Sequence, residues 1–369
     1  MDGQRKKNSL LISLENTNDG SGNYTITFAK GRVTVQFDGL LAAQAAKQKL
    51  EGEILPAWKR GTEAYLPTSG TYQGNRAEAA ESAAALTKSG SARVLFYNMM
   101  GHGGAATPNE ATALRRDLQL AMLADYGADV LCFQEFHPGS YQNGFSAGLE
   151  AMGYAIVTVN TNSKNNYTPI YYRTAQYEVK DSGYRLFTGD NDSSSKGLTW
   201  ALLQDKTSGK QIAVVSTHFW WKGYDAKDQA DFATHNATRL QNATELMETV
   251  ASIQKAYGTD LPIVFGGDLN SLYDSDPVAK ILEASGVSRA WDAAKVKNNN
   301  GGHHVVGTYQ TASATYTDGV KTGVQYNSGF SIDHVFVSGQ VTVARFHTLL
   351  DRYALILSDH CPEIVDLTY

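Results

Sequence analysis

Short, continuous apolar runs recur along the chain, and each of them lies beside a polar residue that can bind a metal ion or a phosphate. Runs of this length that are rich in Val, Ile, Leu or Phe predict buried strands. An unpaired charge inside a protein is costly, so polar side chains at strand ends indicate one sheet edge that water, a metal and a substrate can reach. The runs are VLFYN ending at Asn98, VLCFQE ending at Glu135, IAVVSTH ending at His218, PIVFGGDLN with Asp268 and Asn270, SIDHVFVS with Asp333, and SDHCPEIVDL with Asp359 and His360.

From Val94 onward, the predicted strands alternate with helices, and this order indicates a layered α/β or α+β body. Apolar residues at helical spacing predict a helix over residues 113–126 and a longer one over residues 226–257. Pro277 favours the first turn of a further helix. The strands that run toward the common edge would contribute their last residues to it, and the strands that run away would contribute their first.

Residues 1–90 differ from the rest of the chain and contain no constellation of catalytic residues. We therefore predict an accessory region over residues 1–90 and a catalytic domain over residues 91–369. Apolar and polar residues alternate over 24–30 and 32–38, which predicts a β-hairpin. The remaining predictions for this region are a helix over residues 40–55, a loop over residues 66–74 and an alanine-rich helix over residues 76–88.

Composition narrows the class of protein. With 369 residues and 42% hydrophobic content, the chain can bury the core of one large domain with a small extension. The formal charge of −5 gives no basic surface for tight binding of nucleic acid, although a bound divalent cation can supply the local positive charge of a nuclease. No run of 18 or more apolar residues occurs, so no transmembrane helix is predicted. We expect a monomer.

Two further expectations come from residue usage. Cys132 and Cys361 are too few for a disulfide framework and are expected to be buried thiols. Abundant Tyr, Asn, Thr and Gly with only 19% charged residues is typical of secreted or periplasmic bacterial proteins. We expect that location, with the cytoplasm as the alternative.

The candidate chemistry begins with two acidic segments. In GGDLNS, Asp268 and Asn270 are two residues apart and face the same way on an extended backbone, where they could orient a water and hold a phosphoryl oxygen. The alternative is a simple Gly-Asp turn that the Asn closes. Glu135 is a hard oxygen ligand suited to Mg²⁺ or Mn²⁺, and Asn98 could join it or contact the phosphate.

Histidines and aromatic residues complete the candidate set. His218 ends an apolar run, a position that is also compatible with an ordinary core histidine. Asp333 could orient His360 through a carboxylate–imidazole hydrogen bond, which fixes the tautomer and raises the basicity of the ring. Trp220 and Trp221 follow His218 and are more typical of packing than of ligand binding.

These motifs, taken in order along the chain, resemble the endonuclease/exonuclease/phosphatase superfamily. That superfamily includes pancreatic-type DNases, abasic-site endonucleases, deadenylases, sphingomyelinases and inositol polyphosphate phosphatases. The resemblance covers about residues 92–369 and implies a four-layer sandwich of two mixed β-sheets flanked by helices. It rests on Asn98, Gln134-Glu135, PIYYR with Arg173, Thr217-His218, Gly267 to Asn270, Ile332 to His334 and Ser358 to His360.

The resemblance also implies a role for each matched residue. Glu135 would bind Mg²⁺ or Mn²⁺, with Asn98 and Asp359 nearby. Arg173 would contact the phosphate. The attacking water would be prepared by Asp268, Asp333 and His360. The charge that develops on phosphorus would be stabilised by His218 and Asn270.

The chain departs from the superfamily pattern at two places. Met99 and Met100 follow Asn98 where an acidic or polar residue is common, and His102 could reach the site instead. Ser271 stands where inositol phosphatases have an Arg after the GDxN motif. The motifs GGDLNS and SDHCP are closer to those of deadenylase-like members and secreted bacterial phosphodiesterases.

The predicted function is a divalent-metal-dependent phosphoesterase, a phosphodiesterase by preference, that uses in-line attack of water on phosphorus. The negative net charge favours a compact substrate over a long polyanion, with a sugar or similar polar group stacked on a loop aromatic. Alternatives are a DNase-like nuclease, a sphingomyelinase-like phospholipid hydrolase and a non-catalytic glycan-binding module. The loop residues concerned are Trp220, Trp221, Tyr224, His303, His304 and Tyr309.

Overall fold

The computed structural model divides the chain into two compact units. The first consists of Met1–Thr87 with Ala121–Gly127, and the second of Lys88–Leu120 with Ala128–Tyr369. The structure describes residues 11–29, 32–54, 69–80, 83–101, 109–142, 144–160, 166–188, 195–222, 231–298, 315–317, 320–323, 332–349, 357–358 and 360–369.

Strands outnumber helices among the described residues. The helices are α1 (Gly39–Lys49), α2 (Asn109–Tyr126), α3 (Pro138–Gln142), α4 (Phe145–Ala151), α5 (Phe232–Tyr257), α6 (Asp276–Leu282) and α7 (Ala290–Ala293). The strands are β1 (Leu11–Asn16), β2 (Asn23–Ala29), β3 (Arg32–Phe37), β4 (Gly70–Asn75), β5 (Ala92–Asn98), β6 (Val130–Gln134), β7 (Tyr154–Ile156), β8 (Ile170–Arg173), β9 (Tyr177–Leu186), β10 (Gly197–Asp205), β11 (Gln211–His218), β12 (Ile263–Asp268), β13 (Ser288–Arg289), β14 (Val296–Asn298), β15 (Thr315–Thr317), β16 (Val320–Gly323), β17 (Asp333–Ser338), β18 (Thr342–Thr348) and β19 (Glu363–Thr368). None of the helices in the described part of the chain is long and apolar enough to span a membrane.

The first unit is a four-stranded sheet in the order β1-β3-β2-β4, with α1 packed on it. The predicted hairpin of β2 and β3 is confirmed: the two strands pair antiparallel, and Ile26 and Val35 lie opposite each other on the buried face. The alternation of buried and partly exposed residues in both strands is the pattern that predicted them.

Two sequence predictions for this unit are wrong. Part of the segment predicted as a loop forms β4, because its backbone pairs with the edge of β2, where glycines such as Gly70 and Gly74 are tolerated. The alanine-rich segment forms two short 3₁₀ turns, Arg76–Glu78 and Ala83–Leu86, in place of one helix. A helix of about 12 residues is marginal on propensity alone, and a capping box between Asn75 and Glu78 closes the first turn.

The second unit contains two mixed sheets that face each other. The six-stranded sheet has the order β13-β17-β12-β11-β10-β9, and the seven-stranded sheet has the order β14-β18-β19-β5-β6-β8-β7. The core between them includes Val94 and Cys132 from one sheet and Val214 and Val264 from the other. The helices α5 and α6 cover the outer face of the six-stranded sheet, and α4 places Phe145 against Phe133 of the seven-stranded sheet. The predicted class, two mixed sheets flanked by helices, is confirmed.

The inward-facing positions of these strands change from apolar to polar toward one edge. Along β11 and β12 the core residues Val214 and Val264 are followed by Ser216 and Gly266, and then by His218 and Asp268. Residues two apart face the same side of a strand, so the face that forms the core ends in polar side chains.

A hydrogen bond joins the two sheets just beneath this edge. The Gln134 amide donates to Ser216 Oγ over 3.0 Å, and Ser216 Oγ donates to the Phe133 carbonyl over 2.9 Å. Gln134 therefore ties β6 to β11 at the level where the core gives way to polar side chains.

Candidate active site at the edge of the two sheets

Four of the predicted site residues lie at the ends of strands. Asn98, His218 and Asp268 are the last residues of β5, β11 and β12, whereas Asp333 is the first residue of β17. The strand register pairs His218 with Asp268 across parallel strands and Asp268 with Asp333 across antiparallel strands. One edge of the six-stranded sheet therefore carries three of these side chains, and β5 contributes Asn98 from the facing sheet.

Asp268 lies at the centre of this group and is almost fully buried. Its Oδ2 accepts a hydrogen bond from Asn98 Nδ2 over 2.9 Å, and it lies 3.3 Å from His218 Nε2 and 3.8 Å from His360 Nε2. Burial by itself raises the pKa of Asp268, but its electrostatic and hydrogen-bond interactions with His218, His360 and Lys196 outweigh burial and hold the pKa well below its usual range. Asp268 is therefore a carboxylate at neutral pH.

Glu135 directly follows β6 and is only partly buried. Its backbone is left-handed, with φ of 53°, a conformation that is strained for a residue with a side chain. Glu135 Oε1 lies 3.3 Å from Asn98 Nδ2, so the same amide contacts both Glu135 and Asp268. Burial favours the neutral acid, yet electrostatic interactions with His218 and Lys196 lower the pKa of Glu135 below its usual value, and Glu135 is also ionised.

Asp333 and His360 form the close pair that the sequence predicts. His360 Nδ1 lies 2.7 Å from Asp333 Oδ2, and both side chains are buried. Because a carboxylate can only accept, Nδ1 carries the proton and His360 Nε2 is left to face Asp268. Ser358 Oγ receives the backbone N–H of His360 and donates to the Asn98 carbonyl, which fixes the pair relative to β5.

Asn270 lies in a tight turn beyond β12, and this corrects the prediction that it faces the same way as Asp268 on an extended strand. Its backbone is left-handed, with φ of 45°, and its N–H donates to Asp268 Oδ1 over 2.9 Å. The side-chain amide of Asn270 donates to the Phe219 carbonyl over 3.2 Å. The turn is held further by a 2.8 Å contact between His334 Nε2 and the Ser271 carbonyl.

Lys196 belongs to the site but was not predicted. It precedes β10, and the pairing of Gly197 with His218 brings it to the edge. Its buried Nζ lies 2.7 Å from His218 Nε2 and 3.2 Å from Nδ1. Burial and the charge of Lys196 both lower the pKa of His218, so this imidazole is neutral at pH 7. A lysine between a Ser-rich segment and a strand is usually solvated, so the sequence carried no signal for it.

Arg173 does not reach the site, and its predicted contact with phosphate is not supported by its position. It ends β8, which runs antiparallel to β6, so it lies at the end where β6 begins. The guanidinium donates to the carbonyls of Ala128 and Met152 and lies 4.5 Å from the Tyr154 ring. Strand direction, which the sequence does not show, decides this placement.

The predicted aromatic residues divide between the described and the undescribed parts of the chain. Trp220 is partly buried and follows Phe219, whereas Trp221 is 53% exposed. Some of the residues predicted for the site lie outside the described residues: Asp359, Tyr309, His102, Tyr224, His303 and His304.

The order and spacing of the site residues match a known family pattern. The pattern described as the Endonuclease/Exonuclease/phosphatase family matches residues 95–360, which is well over half of the chain. This protein belongs to that family. Members of the Endonuclease/Exonuclease/phosphatase family are hydrolases that act on phosphate esters.

A curated protein shares part of this sequence. The chain is 26% identical over 199 residues to the CCR4-Not complex 3'-5'-exoribonuclease subunit Ccr4 of Yarrowia lipolytica. The match spans 44% of this chain and 28% of that relative, so most of the relative has no counterpart in the match.

Solved structures of family members show the same fold. An endonuclease/exonuclease/phosphatase from Bacteroides vulgatus is 22% identical, with a TM-score of 0.57 over 75% of this chain and 98% of that chain. The mannosyl-6-phosphatase of Bacteroides thetaiotaomicron is 18% identical, with a TM-score of 0.58 over 76% of this chain and 100% of that chain. TDP2 of D. rerio, complexed with single-strand DNA product, is 19% identical, with a TM-score of 0.52 over 75% and 99% of the two chains.

The side chains at the edge fit a divalent metal ion, on which enzymes of this family depend. Ligand atoms of Glu135, His218 and Asp268 lie within 4.8 Å of one another, and those of Asp268, Asp333 and His360 do the same. Both groups contain the ionised Asp268, and carboxylate oxygens are the ligands that hard cations prefer. Asp268 belongs to both groups, so it would be shared by any metal and by the histidines around it.

Proposed function

We propose that this protein is a divalent-metal-dependent phosphodiesterase that cleaves a compact phosphate ester by in-line attack of water. One observation carries the proposal: Asp268 contacts Asn98, His218 and His360 at once, from both sheets, at an edge that also holds Glu135. A purely structural carboxylate would not need two histidines and a second carboxylate around it.

The metal would be held by carboxylates at this edge. Glu135 is the main candidate because it is ionised, partly exposed and linked to Asp268 through the Asn98 amide. Mg²⁺ or Mn²⁺ suits such oxygen donors, and Asp359 is a further candidate on the strength of its motif. When bound, the cation would neutralise negative charge on the phosphoryl group and act as a Lewis acid.

The attacking water would be prepared by Asp268 and the Asp333–His360 pair. Asp333 holds the proton of His360 on Nδ1, so His360 Nε2 has a lone pair that can take a proton. This nitrogen lies 3.8 Å from Asp268 Oδ2, and a water between them would meet two acceptors. The buried Asp333 carboxylate also stabilises the imidazolium that forms after proton transfer.

Negative charge on the phosphoryl oxygens would be stabilised by a second set of residues around Asp268, namely His218, Lys196 and Asn270. His218 is neutral at pH 7 and can donate one N–H, and the adjacent Lys196 ammonium supplies a positive charge that needs no proton transfer. The Asn270 amide lies at the same edge. Donors fixed in advance of the reaction stabilise a transition state better than water can.

A nuclease is the runner-up, and a specific observation favours it. The curated relative is an exoribonuclease, and TDP2 of similar fold was solved with a DNA product. The net charge of −5 argues against the nuclease hypothesis, because a protein with this charge gives a long polyanion little electrostatic attraction.

The test is a substrate panel measured with Mg²⁺ and after EDTA treatment. The panel contains bis-p-nitrophenyl phosphate, a sugar phosphate diester, sphingomyelin, RNA and single-stranded DNA at low salt. We expect hydrolysis of the small diesters with Mg²⁺, loss of activity in EDTA and recovery on adding Mg²⁺ back. A much higher kcat/KM for DNA or RNA would replace the proposal with the nuclease reading, and activity that survives EDTA would overturn the metal requirement.

A further inference from the structure

An aromatic surface follows the strand that carries His218. The chain leaves β11 through Phe219, which is buried against Phe187, and then presents Trp220, Trp221 and Lys222. Trp221 is 53% exposed, which is unusual for a large apolar side chain in the described part of the chain. Trp221 is three residues after His218 along the chain, and the intervening Phe219 contacts the site through its backbone: its N–H donates to the Asp268 carbonyl over 2.9 Å and its carbonyl accepts from the Asn270 amide over 3.2 Å.

Trp220 is held in place by a chain of hydrogen bonds. Its backbone N–H donates to Asn242 Oδ1 over 3.0 Å, and its indole Nε1–H donates to His235 Nδ1 over 3.0 Å. Because Nδ1 accepts, the neutral His235 carries its proton on Nε2, which lies 3.0 Å from the Asp231 carboxylate. These contacts fix the plane of the Trp220 ring, a degree of order that covering the core does not require.

Trp221 and Lys222 extend this fixed ring outward. The Trp221 ring lies 6.2 Å from the Trp220 ring at an angle of 48°. Lys222 Nζ lies 5.9 Å from the Trp220 ring centre and 5.7 Å from the Trp221 ring centre, within reach of a cation–π contact with both. The result is an exposed indole with a fixed ring on one side and a positive charge above it.

We propose that Trp221, supported by Trp220 and Lys222, stacks on a ring in the organic part of the substrate. This inference rests on the proposed phosphoesterase function and adds that the phosphate ester carries a ring with a flat or apolar face. A sugar ring and a nucleobase share this chemistry, since either can lie on an indole. The positive charge of Lys222 favours a ring that is linked to a phosphate.

We call the surface formed by Trp221, Trp220 and Lys222 the platform. Matched substrates test by kinetics whether the platform binds a ring of the substrate. The methyl phosphodiesters of glycerol 3-phosphate, glucose 6-phosphate and thymidine 5′-phosphate differ only in the group that would stack. We expect Trp221→Ala to lower the ratio of kcat/KM for a ring-bearing ester to that for the glycerol ester by about 10-fold or more, as for loss of one stacked base. Trp221→Phe should recover part of the ratio. Whichever ring ester shows the drop identifies sugar or base as the partner.

The matched control is Tyr257→Ala. Tyr257 is also an exposed aromatic, but it ends α5, about 33 Å along the helix from His235. Its substitution should leave the substrate ratios unchanged. An equal loss of kcat/KM on all three esters after Trp221→Ala, or no loss at all, would overturn the platform.

A binding measurement separates the platform from the proposed chemistry. Indole fluorescence is titrated with glucose 6-phosphate and with thymidine 5′-phosphate in the presence of Mg²⁺, without need for turnover. Quenching in the wild type that is lost in Trp221→Phe supports the platform even if no ester is hydrolysed. Hydrolysis of the ring esters without any such Trp221-dependent quenching would retain the enzyme and reject the platform.

Discussion

At the residue scale, the chemistry of this protein depends on how a few buried charges compensate one another. Asp268 and Glu135 stay ionised because His218, Lys196 and His360 lie around them. A buried carboxylate without such partners would take up a proton. The balance of charges therefore keeps two carboxylates available for a divalent cation at neutral pH.

The first prediction concerns Glu135. Glu135→Gln should nearly abolish activity and weaken Mg²⁺ binding while the protein stays folded, because an amide keeps the size of the carboxylate and removes its charge. Calorimetric titration with Mg²⁺ and circular dichroism measure the two effects. Glu178→Gln, at an exposed position on β9, is the control. Unchanged Mg²⁺ affinity in Glu135→Gln would remove this residue from the metal site.

The second prediction concerns the histidines and the carboxylate that orients one of them. His218→Ala and His360→Ala should each lower kcat by about 10²-fold or more. Asp333→Asn should resemble His360→Ala, because the 2.7 Å hydrogen bond makes the two side chains one unit. The double variant Asp333→Asn/His360→Ala should then have a kcat little lower than that of either single variant. If the two losses multiply instead, Asp333 and His360 act independently.

The third prediction concerns Lys196. Burial lowers the pKa of His218 and the positive charge of Lys196 lowers it further, so Lys196→Met should raise that pKa toward its ordinary value. The change can be read from the imidazole resonances of the protein in an NMR titration. The same variant should lose about 10-fold or more in kcat/KM, and Lys196→Arg should lose less because it keeps the charge. A His218 pKa that does not move in Lys196→Met would contradict the short contact.

At the element scale, strand direction and register decide which side chains meet. The parallel strands β11 and β12 end at the same edge, and β17 starts there because it runs the other way. The opposite edge of the second unit has its own buried charges, including the pair of Arg93 and Asp366 at 2.7 Å. A buried pair of this kind orders the structure and gives no reactive group.

The fourth prediction concerns His347 on β18, which is fully buried near Arg93 and Arg345. Burial and these two cations lower the pKa of His347 from 6.5 to about 4. A histidine with a depressed pKa stabilises the fold above its unfolded pKa, and this stability is lost as pH falls from about 6.5 toward 4. The loss is about 3 kcal/mol if the unfolded chain has the ordinary value.

Urea unfolding at pH 7 and pH 4 measures this loss. His347→Gln cannot titrate, so the free energy of unfolding of this variant should fall by about 3 kcal/mol less than that of the wild type between the two pH values. Carboxylates that titrate in the same range affect both proteins and cancel in the comparison. An equal fall in the free energy of unfolding for the two proteins would show that the pKa of His347 is not lowered in the folded protein.

At the scale of the whole molecule, the division into units differs from a simple cut at residue 90. Ala121–Gly127, the end of α2 and the residue after it, belong to the same compact unit as the first 87 residues. Within that unit, Asp125 accepts a hydrogen bond from the Leu41 backbone N–H over 3.0 Å, and its carbonyl accepts one from Arg76 over 2.8 Å.

The fifth prediction follows from these contacts. A chain that lacks residues 1–87 should be less stable than the full chain, because the end of α2 loses the partners of Asp125. The Tm of the truncated protein should fall by several degrees, since each lost kcal/mol lowers the Tm of a large domain by about 2–4 °C. An Asp125→Asn variant of the full chain keeps residues 1–87 and weakens only the contacts of this side chain, so its Tm should fall less than that of the truncated protein. An unchanged Tm on truncation would show that residues 1–87 are a dispensable accessory region.

The strands that carry the site, and the types of residue at their ends, follow from the pattern of residues along the chain. Local patterns alone placed Asn98, His218, Asp268 and Asp333, because an apolar run tolerates a polar residue only at its end, where other polar groups can compensate its burial. The ordered motifs also identified the family and therefore the two-sheet fold. These features are local or depend on order along the chain, and both can be read without coordinates.

Contacts between these residues depend on how distant strands pair. Lys196 joins His218 because β10 pairs with β11, and Arg173 leaves the site because β8 runs against β6. Asn270 lies in a left-handed turn that no extended-strand pattern predicts. Strand order, direction and register come from packing between distant segments, and this is why a linear pattern can give the residues of a site without giving their contacts.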